Sequence, residues 1–128
     1  MLERLVYVST AAPDLTLPIV RRIVARAQIR NRQLDVTGML LYVHPEFVQV
    51  LEARSEVLDE VVAHIAEDPR HRDIRIIERK AITARRFDRW NMGLLVTVAL
   101  AQAVQALKAG ELSVDGLIDA MLVDADLL

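Results

Sequence analysis

Residues Leu2 to Ser9 alternate across two faces: Leu5, Tyr7 and Ser9 on one, Arg4, Val6 and Val8 on the other. A period of two is the signature of a strand. A turn follows at Ala11 to Asp14, around Pro13. From Thr16, a good N-cap with Pro18 in the first turn behind it, the period changes. Ile19, Val20, Ile23, Val24 and Ala27 fall on one side of a helix expected to end near Asn31. Arg21, Arg22, Arg26 and Arg30 line the opposite side, which reads as a solvated face. Val36 to Val43 is a second predicted strand, His44-Pro45-Glu46 a short hairpin turn, and Phe47 to Glu52 a third strand with Phe47, Gln49 and Leu51 on one face.

Ser55 is expected to cap a second helix whose apolar side carries Val57, Leu58, Val61, Val62 and Ile65. It stops at Asp68-Pro69, because proline disfavours helix in the residue before it. Ile74 to Glu78 is a predicted fourth strand. Trp90 to about Val98 is a fifth, with Trp90, Met92 and Leu94 sharing a face. Ala99 to Ala109 reads as a helix ended by Gly110, and Ser113 caps another that carries Val114, Leu117, Ile118, Met121 and Leu122. The order β-α-β-β-α-β-β predicts an α+β, ferredoxin-like sheet with both helices on one face. Residues 1–94 form that domain, and 95–128 form a helical extension expected to pack on the sheet's other face.

Composition narrows the chemistry. The chain has 128 residues, enough for one domain with its own core, and is 53% hydrophobic, which excludes a disordered chain. It has no cysteine, so disulfides, thiol nucleophiles and cysteine-based metal sites are excluded. Its three histidines, His44, His64 and His71, show no zinc-binding helical spacing, and no metal site is expected. Net charge is −2 but uneven: residues 1–92 hold 15 basic and 13 acidic side chains, while residues 93–128 hold one lysine against five carboxylates. Such a field does not favour nucleic acid. The most apolar stretch, Met92 to Ala101, is about ten residues against the roughly 20 of a membrane span. The N-terminus lacks a signal-peptide core. A cytoplasmic protein away from the membrane is the expectation.

Three polar residues stand out. Gln49 points with Phe47 and Leu51 toward the two helices, where an amide must find hydrogen-bond partners or cost about 1–3 kcal/mol. Tyr7 faces the same side from the first strand, and Asn31 closes the first helix. Each has an ordinary explanation: Gln49 and Tyr7 can bond each other or backbone, and Asn31 can be a C-cap. Their convergence on one inter-helix space instead points to a polar ligand sandwiched there. Asp68, Arg70 and His71 lie past the second helix, where they form either a solvated turn or a pocket mouth able to bond a sugar and phosphate.

Five segments occur in a telling order: Arg4-Leu5-Val6-Tyr7-Val8-Ser9, Val36-Thr37-Gly38-Met39-Leu40-Leu41-Tyr42, Phe47-Val48-Gln49-Val50-Leu51-Glu52, Asp68-Pro69-Arg70-His71 and Arg86-Phe87-Asp88-Arg89-Trp90-Asn91-Met92. With Asn31, they resemble the blue-light-using-FAD (BLUF) photoreceptor family from about Leu2 to Leu94. The resemblance implies a flavin between the helices, FAD or else FMN, with Ile23 and Ile65 flanking its ring and Ala27 beside it. It implies Asn31 on the ring carbonyl side, Gln49 between Tyr7 and the ring's N5/O4 edge, and Asp68, Arg70 and His71 at the ribityl chain or phosphate. Family members differ over whether the residue at Trp90 or at Met92 packs inward near Gln49. Ala27, Ala53, His64 and Asn91 depart from the commoner family residues, and these departures bear on affinity and on FAD against FMN.

The implied mechanism is a non-covalent switch. Tyr7 donates an electron and a proton to the photoexcited flavin with Gln49 as relay, and Gln49 is left rotated or tautomerised, which gives a small red shift. With no cysteine, a flavin–cysteine adduct is excluded. About 34 residues follow Leu94, too few for an effector enzyme, so a sensor that is not itself an enzyme is expected. It would signal through an unknown downstream protein or a change in a homo-oligomer. Two alternatives stand beside this reading: a ferredoxin-fold enzyme of the acylphosphatase type, and an interaction module that keeps the fold without the flavin.

Overall fold

A computed structural model of the chain describes residues 1–126. The strands are β1 (Leu2–Ala11), β2 (Thr37–Val43), β3 (Glu46–Arg54), β4 (His71–Ala81) and β5 (Gly93–Val96). The helices are α1 (Leu17–Leu34), α2 (Ser55–Glu67), α3 (Ala101–Lys108) and α4 (Val114–Asp126). They form one mixed sheet in the order β4-β1-β3-β2-β5. Its pairs are antiparallel except β2 with β5, which is parallel. This is the ferredoxin-like α+β architecture expected from the order of elements.

The sheet has a different core on each face. Leu5, Tyr7, Ala11, Leu40, Phe47 and Leu51 point to α1 and α2, where they meet Val20, Val24, Leu58 and Val61. Val6, Val8, Met39, Leu41, Val48 and Val50 point the other way and meet Leu107, Leu117, Ile118 and Met121 of the tail helices. The alternation of β1 and β3 therefore assigns each side chain to its core, as a period of two requires. Residues 127 and 128 of the expected extension lie outside the described residues.

Several element ends differ from expectation: β1 runs on to Ala11, β3 spans Glu46–Arg54, α3 is shortened to Ala101–Lys108, and four other elements differ more tellingly. α1 runs through Asn31 to Leu34 and is closed by Asp35 in the left-handed conformation (φ 55). The amides of Asp35 and Val36 bond back to the carbonyls of Arg32 and Asn31, so Asn31 is not the cap. Ser55 is the first helical residue of α2, so the N-cap position falls to the extended Arg54 before it, which makes no side-chain cap bond. β4 is longer than expected at both ends. β5 is shorter and starts only at Gly93, so Trp90 and Met92 precede the strand.

Ser113 does cap α4 as expected: its hydroxyl oxygen accepts the Gly116 N–H at 3.0 Å. Gly38 inside β2 has a steric cause. A Cβ there would lie 2.0 Å from the Val50 carbonyl oxygen, and its own N–H donates to the Trp90 carbonyl at 3.0 Å. The glycine lets the β3 backbone lie directly against β2 at this point.

Candidate functional site

Between α1 and α2 lies a cleft of about 690 Å³, inside the roughly 300–1,000 Å³ typical of small-molecule sites. Its floor is the sheet. Ile23 and Ala27 line it from α1 and Ile65 from α2. Tyr7, Asn31 and Gln49 make its polar end, and Asp68, Arg70 and His71 also line it. All eight residues expected to hold a cofactor, with Tyr7, thus border one cavity.

Strand register explains the pair at the floor. Tyr7 of β1 stands directly opposite Gln49 of β3, so their side chains share a face and are close neighbours. The Tyr7 hydroxyl donates to Gln49 Oε1. Gln49 Nε2 in turn donates to Met92 Sδ at 3.4 Å, and thioether sulfur is a weak acceptor. The amide is therefore held firmly through its oxygen and loosely through its nitrogen. Tyr7 is 4% exposed. Burial raises its phenol well above the usual value, and the Asp68 charge adds to the rise. Tyr7 is accordingly neutral throughout the physiological range.

Asn31 is buried in the last turn of α1, and its Nδ2 donates to the Asn91 carbonyl at 2.8 Å. Gln28, one turn earlier, donates through Nε2 to the Met92 carbonyl at 2.8 Å. Asn91 Nδ2 reaches the Val36 carbonyl at 3.1 Å. The segment before β5 is thus tied to α1 on one side and to the start of β2 on the other. Met92 packs in the cleft-side core and Trp90 against the tail-helix core. The expectation that the two share a face is corrected: the strand starts after both, so the alternation does not apply to them.

At the mouth, Arg70 forks onto Asp68 through Nε at 2.8 Å and Nη2 at 2.6 Å. This bidentate geometry holds the Asp68 carboxyl below its usual range. His71 is placed differently. Its Nε2 lies 2.9 Å from the Ile65 carbonyl and its Nδ1 2.8 Å from the Ser9 hydroxyl. The carbonyl can only accept, so Nε2 carries the proton, and in the neutral ring Nδ1 accepts from Ser9. Both nitrogens are engaged within the protein, and the ring meets Tyr7 edge-on at 6.0 Å.

Sequence reasoning missed several site residues. Arg26 and Arg30, assigned to a solvated face, also line the cleft. Gln28 and Asn91 were not singled out for this network, although Gln28 is three residues before Asn31 and therefore shares its face. Among the described residues no cluster of histidine or carboxylate side chains could hold a metal ion. No described helix is long and apolar enough to cross a membrane.

The residues present fit a flavin. Apolar walls suit a flat ring, the amides of Asn31 and Gln49 suit its polar edge, and the arginines at the mouth suit phosphate. Comparison with known proteins agrees. The profile of one family, BLUF, "sensors of blue-light using FAD", matches residues 2–93. The photoactivated adenylate cyclase subunit beta of Euglena gracilis is 39% identical over 93 residues, which are 71% of this chain and 11% of that protein. The chain thus spans about a tenth of that relative's length. Among solved structures, the dark state of BlrB, a BLUF protein, superposes with a TM-score of 0.82 at 29% identity over 94% of both chains. Residues 1–94 are under three-quarters of this chain, so that overlap includes tail helices. Klebsiella pneumoniae BlrP1, solved with FMN and cyclic diGMP, gives a TM-score of 0.74 at 32% identity over 97% of this chain and 30% of that one.

Proposed function

This chain belongs to the BLUF family of blue-light sensors that use FAD, and from that premise we propose that Tyr7 and Gln49 form its photochemical switch. The observation that carries the reading is their hydrogen bond at the floor of the cleft. Ile23, Ala27 and Ile65 hold the flavin ring, Asn31 bonds its polar edge, and Asp68, Arg70 and His71 shape the mouth, where the ribityl chain and phosphate lie. When bound, the flavin supplies the visible absorption and, once excited, the capacity to accept an electron.

The remaining steps belong to the protein. Tyr7 is neutral in the dark because burial disfavours its phenolate. Loss of an electron turns a phenol into a strong acid, so its proton leaves along the existing bond toward Gln49 Oε1. When electron and proton return to Tyr7, the Gln49 amide settles in a second arrangement, rotated or tautomerised. Leaving the first arrangement costs little on the nitrogen side, where the partner is sulfur. The amide then presents a different hydrogen-bonding edge to the cleft, where low polarity magnifies such a change.

The acylphosphatase-type alternative and the flavin-free module yield to this reading because the family match and the cleft point the same way. The chain acts as a cytoplasmic sensor without catalysis of its own, and its output passes to a partner protein or through self-association. Absorption spectroscopy of the purified protein tests the proposal. The flavin band should shift to the red under blue light and recover in darkness, and Gln49→Leu should keep its flavin and lose the shift. A normal, reversible shift in Gln49→Leu refutes the switch; a colourless protein that takes up no added flavin refutes the photoreceptor.

A further inference from the structure

Met92 is the partner of the Gln49 amide nitrogen among the described residues, yet it sits in a stretch with no regular structure between β4 and β5. Its place must be set by other contacts. Two donors on α1 supply them. Asn31 and Gln28, three residues apart on one helix face, take the consecutive carbonyls of Asn91 and Met92, each at 2.8 Å. Asn31 lines the cleft and is committed to the site. Gln28 is exposed and does not line the cleft, so nothing about ligand binding accounts for its bond.

We propose that Gln28 is a positioning residue: by holding the Met92 carbonyl it keeps the Met92 thioether on the cleft side of the sheet, within reach of Gln49. Trp90 lies two residues earlier against the opposite core. A rigid grip at residue 92 therefore fixes which of the two side chains meets the amide. Without it no side chain grips the Met92 carbonyl itself, and residue 92 is held through its neighbours: Asn91 by Asn31 and Val36, Trp90 by Gly38, and Gly93 by its pairing with β2. The Met92 side chain then samples other positions. The consequence for the photocycle rests on the Tyr7–Gln49 reading. The amide's return to its dark arrangement re-forms the bond to sulfur, so a wandering Met92 slows dark recovery.

The experiment uses the full chain as purified, kept dark, with methyl-labelled methionine. In Gln28→Leu the Met92 methyl resonance should shift or broaden while those of the buried Met39 and Met121 stay in place, and Gln28→Lys, which retains a donor of sufficient reach, should restore it. An unchanged Met92 resonance, or equal movement of all three, overturns the positioning role. On the same samples, flavin content and the size of the red shift should match the parent, and dark recovery should slow about threefold to tenfold, the range set by one neutral hydrogen bond. Recovery at the parental rate overturns the photocycle consequence. A parent protein with no light-induced shift would instead remove the photoreceptor reading, and the methyl spectra would still decide the placement of Met92.

Discussion

On the α1/α2 face of the sheet, side chains converge on a space they do not fill; on the α3/α4 face they fill it. Leu117, Ile118, Met121 and Phe87 are completely buried in the tail-side core. Charge reinforces that side. Arg4, 3% exposed, reaches Glu78 at 2.8 Å and Asp115 of α4 at 3.1 Å, and Arg86 pairs with Asp119. The cleft side is held by strand register and a few hydrogen bonds, with Ile23 and Ile65 only half-buried. One face is thus built to be completed by a ligand and the other to be closed by the chain itself. Only a thin layer of sheet separates the two: on β3, Gln49 faces the cleft, and Glu52 belongs to the opposite parity with Val48 and Val50.

The comparison breaks if the two faces respond alike to truncation. Leu117→Ala should cost about 2–5 kcal/mol, because a packed core cannot collapse onto the void. Ile65→Ala, measured without added flavin, should cost about 1 kcal/mol, since it enlarges a space that already exists. Urea denaturation of both variants checks this, and equal losses would mean that the cleft face is packed as tightly as the tail face.

The next effect concerns the loop that joins the faces. Glu52 is fully buried, and its carboxylate accepts from Thr37 Oγ1 at 2.9 Å, Arg86 N at 2.6 Å and Phe87 N at 3.0 Å. Glu52→Gln replaces one acceptor oxygen with a donor and leaves a backbone N–H facing it, at a cost of about 1–3 kcal/mol. Hydrogen exchange should show protection lost at Arg86 and Phe87 while the β1–β3 ladder keeps its own. Loss spread evenly over the sheet would mean that Glu52 supports the core rather than the loop.

The same contrast explains what the sequence made legible. β1 and β3 are central strands with a core on each face, so their alternation was clean and placed Tyr7 and Gln49 correctly together. β4 is an edge strand. Arg72, Arg75, Arg79 and Lys80 interrupt its pattern, and its pairing with β1 shifts register twice, so only its middle was recognisable. Edge strands carry such charges to avoid further pairing. β5 was over-extended because Trp90 and Met92 are as apolar as strand residues, although hydrogen bonds to side chains of α1 and to Gly38 hold them instead. α1 was cut short at Asn31 because a polar residue near a helix end imitates a cap; the real stop is a left-handed aspartate, which has no periodic signature. Arg26 and Arg30 are exposed, as a solvated face implies, yet they also border the cleft, and the reason this was not legible is geometric. A helix wheel separates apolar from polar sides, but whether the polar side meets solvent or a cleft depends on where the second helix lies.

The smallest effect lies at the rim of the cleft, where Asp68 follows α2 and is forked by Arg70. The hydrogen bond from Arg70 is the main cause of its lowered pKa, with burial opposing it. The unfolded carboxyl titrates near 3.9, above the folded one, so on acidification the unfolded state takes up the proton first. The pair's contribution is therefore complete above that value, declines as pH falls beneath it, and is gone once pH is below the folded pKa. Arg70 is 45% and Asp68 24% exposed, and solvent screening limits the contribution to about half a kcal/mol. Asp68→Asn should show that small deficit in urea at pH 7, and the deficit should vanish in acid and shrink with added salt. A deficit that survives below the folded pKa would have to come from the shape of the turn after α2 rather than from charge. The cleft would then be rimmed by backbone geometry, as rigid as the face opposite, and the difference between the two faces would narrow to the cavity alone.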